Sequence, residues 1–137
     1  MIRKPYSILM VEDNPADAEM VKISLEETGV PIKVHVARSG TDALAYLEGQ
    51  PAALDLILLD LNLPRMNGFQ ILEAIRKLGH VDAVPVAILS GSQNPEEIER
   101  CYRAGANCYF AKAIALADIF ATGDQIVEYV AHGMKPQ

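Results

Sequence analysis

The sequence predicts an α/β protein, a doubly wound parallel sheet with helices on both faces. Three observations carry that reading. Apolar runs of strand length alternate five times with segments of helical period, and such alternation calls for parallel strands joined by crossover helices. The central run, Leu56, Ile57, Leu58 and Leu59, has no polar position, as expected of a strand covered on both faces. The chain of 137 residues is half hydrophobic and 22% charged, the size and balance of one globular domain with a substantial core.

The elements follow in order. Tyr6 to Val11 (YSILMV) is a short buried strand ending on Glu12-Asp13. Asn14 is an N-cap and Pro15 the first helical position, with Asp17 in the first turn. Met20, Val21, Ser24, Leu25 and Thr28 share one face of that helix, and Gly29 ends it. Ile32 to Ala37 alternates as a second strand. Ser39 caps a helix carrying Ala43, Leu44 and Leu47, closed by Gly49. After the central strand come Asp60, Asn62, Pro64, Asn67 and Gly68, a loop that must turn sharply back into a helix. Phe69, Leu72, Ile75 and Gly79 mark that third helix. Pro85 opens the fourth strand, VAILS, which ends at Ser90. Asn94-Pro95 repeats the helix-start signal, with Glu96 and Glu97 suited to the positive end of the helix dipole, and Gly105 terminates this fourth helix. A fifth strand spans Asn107 to Phe110 and runs to Lys112. A last helix covers roughly Leu116 to His132, leaving Met134 to Gln137 as a loose tail.

Composition excludes several functions. The net charge is −6 and the pI about 5.0, a poor match to nucleic acid or an anionic membrane, both of which need a basic face. No apolar run approaches the ~20 residues of a membrane span. The opening MIRKPYSILMVED turns acidic after five apolar positions, so it reads as a strand and not a signal peptide. Cys101 and Cys108 have neither zinc-ligand nor redox spacing and read as reduced packing residues of a cytoplasmic protein. His35, His80 and His132 are isolated and read as structural or surface residues.

The chemistry gathers at the strand ends, which all point one way in a parallel sheet. Four of them carry Glu12-Asp13, Asp60, Ser90 and Lys112, at the edge where α/β proteins bind ligands. Packed carboxylates repel unless a cation neutralises them. A hard divalent cation with oxygen ligands suits the position, and Lys112 adds a point charge. These groups make a site for a phosphoryl group carried by, or passing near, a carboxylate.

VEDN at 11–14, LLDLNLPRMNG at 58–68, ILSG at 88–91 and YFAK at 109–112 resemble the motifs of response-regulator receiver domains. The resemblance runs from about Tyr6 to about Ala131 and is similar in particular to the single-domain regulators of cyanobacterial phytochromes. It implies a flavodoxin-like (βα)5 fold with strand order 2-1-3-4-5. It implies a two-component response regulator, a single receiver domain over residues 1–137, with Asp60 as phosphoacceptor from a sensor histidine kinase, of which a phytochrome is the candidate. Asp13, Asp60 and the main-chain carbonyl of Asn62 would bind Mg²⁺, with Glu12 joining through water. Ser90 and Lys112 would hold phosphoryl oxygens, and Tyr109 would change rotamer as the hydroxyl moves. Asn62 and Ser92 would tune the lifetime of the acyl phosphate. One departure stands out. The family has Lys-Pro after the fifth strand with a cis bond, whereas this chain has Lys112-Ala113. A cis bond before alanine costs ~2.5–4 kcal/mol against less than ~1 before proline; the expectation is nonetheless cis.

Other functions fit less well. A phosphatase using an aspartyl phosphate needs a second acid two residues on to protonate the leaving group, and Asn62 cannot do so. A flavin carrier needs a phosphate loop after the first strand, where this chain has acids. A phospho-independent receiver-like binding module is the alternative, against which the intact acidic site argues. No DNA-binding segment follows the fifth strand, so the expected role is that of a signalling module and not an enzyme beyond transfer to its own Asp60. Its output would be a contact with a downstream protein or a relay of the phosphoryl group to a downstream histidine. The last helix sets Ile119, Gly123, Ile126, Val127 and Val130 toward the sheet and Leu116, Ala117, Phe120 and Ala121 partly outward, before Asp124 and Glu128. With the family's usual contact surface in mind, this predicts a homodimer through the fourth helix, fifth strand and fifth helix.

Overall fold

Strand β1 (Tyr6–Val11) lies near the middle of the sheet and has two neighbours. The computed structural model describes residues 5–49, 53–61, 63, 67–79, 83–91, 94–112 and 116–133, with all side chains of the last span except those of 116, 117 and 119. On one side β1 pairs in parallel with β2 (Ile32–Ala37), and on the other with β3 (Leu56–Leu59), Ile8 facing both Val34 and Leu56. Strands β4 (Val86–Ser90) and β5 (Cys108–Ala111) follow, also parallel, and complete the order β2-β1-β3-β4-β5. This is the flavodoxin-like order. β2 is an edge strand, and its alternation of half-buried and exposed positions fits one covered face. In β3 and β4 every residue is buried.

The helices are α1 (Pro15–Glu27), α2 (Gly40–Glu48), α3 (Gly68–Lys77), α4 (Pro95–Arg103) and α5 (Leu116–His132). Strand side chains alternate between two cores. Ile8, Met10, Leu56, Leu58, Leu89 and Phe110 pack with Val21 and Leu25 of α1 and Ile126 of α5. Leu9, Val11, Ile57, Leu59 and Ile88 pack with Leu47 of α2, Ile71 and Leu72 of α3 and Cys101 of α4. α1 and α5 therefore cover one face, and the other three helices cover the opposite face.

Local signals explain the starts. Asn14, Ser39, Asn67 and Asn94 each accept main-chain hydrogen bonds as N-caps. Asn67 and Gln70 form a reciprocal capping box, which the sequence reading passes over. The loop before α3 closes where Gly68 N–H donates to the Leu61 carbonyl at 3.1 Å. A Cβ on Gly68 would stand 2.7 Å from Leu61 Cα, so only glycine permits this approach.

One boundary is corrected. β5 begins at Cys108 and ends at Ala111, not at Asn107 through Lys112. Asn107 N–H still donates to Val86, but the Asn107 side-chain oxygen turns back to accept from Val86 N–H and Arg76 Nη2. Arg76 also donates to the carbonyls of Gly105 and Val84. These bonds tie the end of α3 to the entrances of β4 and β5. His35 stacks on Tyr46 with centroids 4.0 Å apart, and His132 is exposed. The expectations about Asn62, Ser92, His80, the Lys112–Ala113 bond, the directions of Leu116, Ala117 and Ile119, and the tail from Met134 lie outside the described residues.

Candidate functional site

Each site residue stands at or just past the end of a strand, and the ladder of the sheet holds it there. Glu12 N–H donates to the Ala37 carbonyl at 2.9 Å, Asp60 N–H to Val11 at 3.2 Å, and Lys112 N–H to Ser90 at 2.7 Å. The sheet's hydrogen bonding thus runs one residue beyond β1, β3 and β5. At the other end of β3, Asp55 and Ser7 exchange hydrogen bonds, Asp55 N–H to the Ser7 carbonyl and Ser7 N–H to Asp55 Oδ2, both 2.8 Å. That exchange pins the register that sets Asp60 beside Glu12.

The first α1 turn completes the rim. Asn14 Oδ1 accepts from Ala16 and Asp17 N–H, while Asn14 N–H donates to Glu12 Oε2 at 3.3 Å. With Pro15 at the first helical position, this cap starts the helix immediately after the acids and brings Asp17 over the strand ends.

At the centre is the Lys112 ammonium. Its Nζ lies 2.7 Å from Glu12 Oε1, 2.9 Å from Asp17 Oδ2 and 3.2 Å from Asp60 Oδ2. Glu12 and Asp60 are buried at 4% and 7% exposure, so two of these pairs are shielded from solvent, whereas Asp17 is partly exposed. Burial pushes the Glu12 carboxyl up to about 7; the Lys112 hydrogen bond pulls it down, and the hydrogen bond and charge of Asp60 push it up again. Burial pulls Lys112 down, but its hydrogen bonds to Glu12 and Asp17 and the charge of Asp60 more than reverse this, so the ammonium persists through neutral pH.

Glu12, Asp13 and Asp60 each offer a carboxylate oxygen within 4.8 Å of the others. An all-oxygen donor set of high negative charge suits a hard divalent cation such as Mg²⁺. Asp13 is the exposed member and opens the cluster to solvent. Ser90 is fully buried at the end of β4, the strand next to Asp60. Tyr109, on β5, is 9% exposed and packs in the core on the α2–α4 side.

The structure brings together Glu12, Asp13, Asp60 and Lys112 as expected. It adds Asp17, which the sequence reading treats only as an acid in the first turn of the helix. The available signal was its spacing: an acid four residues after Asp13, at the entrance of a helix capped at Asn14, comes back toward the same strand ends.

A parallel α/β sheet with acids and a lysine converging at its carboxyl edge defines a class of proteins that handle phosphoryl groups or hard cations at carboxylates. Comparison narrows the class. Residues 8–123 match the response regulator receiver domain, and the chain belongs to that family. It is therefore the receiver domain of a two-component response regulator. It is 34% identical to the response regulator Rcp1 of Synechocystis sp. over 121 residues, 85% of this chain and 82% of the relative. It is equally 34% identical to the probable methanogenesis regulatory protein FilR2 of Methanothrix harundinacea, over 91% of this chain and 83% of that one. Among solved structures, the phosphorylated cyanobacterial phytochrome response regulator RcpA superposes with a TM-score of 0.86 at 34% identity, covering 96% of this chain and 98% of its own. The Mn²⁺-bound form of Rcp1 gives 0.83 at 31% identity, with 97% and 100% covered. Among the described residues no helix is long and apolar enough to cross a membrane.

Proposed function

We propose that Asp60 is the phosphoacceptor of this receiver. A carboxylate oxygen of Asp60 attacks the phosphorus of a phosphohistidine on a sensor histidine kinase; the new O–P bond forms as the N–P bond breaks, and the imidazole leaves. The observation that carries this reading is the Lys112 ammonium held 3.2 Å from a buried Asp60 inside a cluster of acids. A pairable cation at that position can meet a phosphoryl oxygen on Asp60. The Ser90 hydroxyl holds a second oxygen, and Tyr109 reports its movement to the α4–β5–α5 face.

Asp13, Asp60 and, by the sequence motif, the main-chain carbonyl of Asn62 would hold Mg²⁺, and Glu12 would join through water. The oxygen-only donor set and the charge crowding that helps raise Glu12 fit such an ion. When bound, the ion supplies positive charge against the phosphoryl oxygens. The Mn²⁺-bound Rcp1 structure supports this assignment.

The likeness to a phytochrome response regulator supports a phytochrome-type kinase as partner, in the cytoplasm. The chain acts as one receiver domain without further catalysis, and its output is a protein contact. Exposed Tyr102 on α4 and Phe120 on α5 support a two-fold pair through α4, β5 and α5. The primary test is phosphorylation with Mg²⁺ and a phosphodonor. The chain gains one acid-stable, base-labile phosphoryl group, and Asp60→Asn abolishes it. Stoichiometric labelling of that variant would move the acceptor elsewhere.

A further inference from the structure

The Lys112 ammonium has three N–H donors, and among the described residues its carboxylate partners are Glu12, Asp17 and Asp60. Two of those belong to the carboxylate cluster suited to a cation. Asp17 does not; the cluster consists of Glu12, Asp13 and Asp60. Asp17 also comes from a different element, the first turn of α1, which Asn14 and Pro15 fix in place.

We infer that Asp17 is a positioning residue for Lys112. The inference rests on the phosphoacceptor reading of Asp60. A cation at Glu12, Asp13 and Asp60 draws on the same carboxylate charge that holds the ammonium. A phosphoryl group on Asp60 then needs that ammonium turned toward it. Through both steps Asp17 keeps its 2.9 Å contact and stops Lys112 from swinging into solvent, where its partly exposed side chain already has access. The chain has Ala113 after the lysine where the family has proline, so a second means of aiming the side chain has a use here. Asp17 thus acts through Lys112 and touches neither the phosphoryl group nor the cation.

The test is the phosphorylation rate with acetyl phosphate at saturating Mg²⁺, in wild type, Asp17→Asn, Lys112→Gln and the double variant. Losing one charge-assisted hydrogen bond to the ammonium is expected to slow wild-type labelling about tenfold. In the Lys112→Gln background the same change is expected to do nothing further, and Asp17→Glu is expected to recover part of the rate. A merely structural role at the α1 terminus would slow labelling equally in both backgrounds, and that outcome overturns the inference. So does an Asp17→Asn rate equal to wild type while wild type labels on Asp60. If wild type itself gains no phosphoryl group on Asp60, the phosphoacceptor reading falls and this inference with it.

Discussion

Gly123 of α5 lies directly against Ser24 of α1. A Cβ added to Gly123 would come within 2.5 Å of the Ser24 carbonyl oxygen and 2.7 Å of its carbon. Both are main-chain atoms and cannot swing aside. In an unpacked helix, replacing glycine by alanine gains about 1 kcal/mol. Here the helices must separate, and overpacking of this kind costs roughly 1–3 kcal/mol. Gly123→Ala is therefore expected to lower the urea midpoint, with the second effect outweighing the first. Ser24→Ala is expected to be neutral or stabilising, because the buried Ser24 hydroxyl oxygen has no hydrogen-bond partner among the described residues. A Gly123→Ala chain at least as stable as wild type would refute the close crossing.

The raised Glu12 carboxyl makes a pH prediction. A group that binds its proton more tightly in the folded chain adds stability below its unfolded value, and that contribution disappears as pH rises through the folded value. For Glu12 the window runs from 4.5 to about 7. In chelator, wild type is expected to lose stability relative to Glu12→Gln across that window, by on the order of 3 kcal/mol in total. Taking the difference between the two chains cancels the opposite trends of the other carboxylates. Parallel stability profiles from pH 5 to 8 would show that burial and Asp60 do not hold the Glu12 proton.

Much of this architecture is legible in the sequence because it is written locally. The apolar run Leu56–Leu59 and the Asn14-Pro15 and Asn94-Pro95 starts need only their neighbours to be understood, and all appear where expected. The strand-end acids and Lys112 were found because a parallel sheet converts sequence position into a common edge. What escaped is long-range. Arg76 bonds to Gly105 and Asn107, 29 and 31 residues away. Gly123 meets Ser24 across two helices, and no periodicity encodes that pairing. Asn107 is misread as strand because its main chain does pair with Val86, while its side chain serves Arg76. Asp17 is half legible: its first-turn position was visible, its reach to Lys112 was not.

Metal binding separates the acids. Removing Asp13 or Asp60 would take away a proposed anionic ligand, and hard cations depend on such ligands. Asp13→Ala is expected to weaken Mg²⁺ at least tenfold, measured by calorimetric titration. Glu12→Gln is expected to weaken it less, since Glu12 is proposed to join through water and its Oε1 is engaged by Lys112 at 2.7 Å. Undiminished affinity in Asp13→Ala would remove Asp13 from the ligand set.

The α4–β5–α5 face carries the last prediction. Phe120 is 47% exposed and Tyr102 42%, two of the large hydrophobic side chains most open to solvent among the described residues. Ala121 beside Phe120 is exposed as well, whereas Ile126 and Val127 of the same helix are buried against the sheet. A single exposed aromatic needs no explanation. Two on the helices that flank β5 are a different matter. Tyr102 lies close to the main chain at Tyr109, so the proposed rearrangement of β5 at Tyr109 would have a route to the surface. Wild type is expected to sediment as a dimer at micromolar concentration, more tightly once phosphorylated. Phe120→Asp places a charge at the centre of an apolar contact and is expected to give a monomer. The same variant should still label on Asp60 and unfold at a similar urea concentration, because Phe120 is about half open to solvent and is not one of the buried core residues. A wild-type monomer across the whole micromolar range, phosphorylated or not, would leave this face without a second copy to bind.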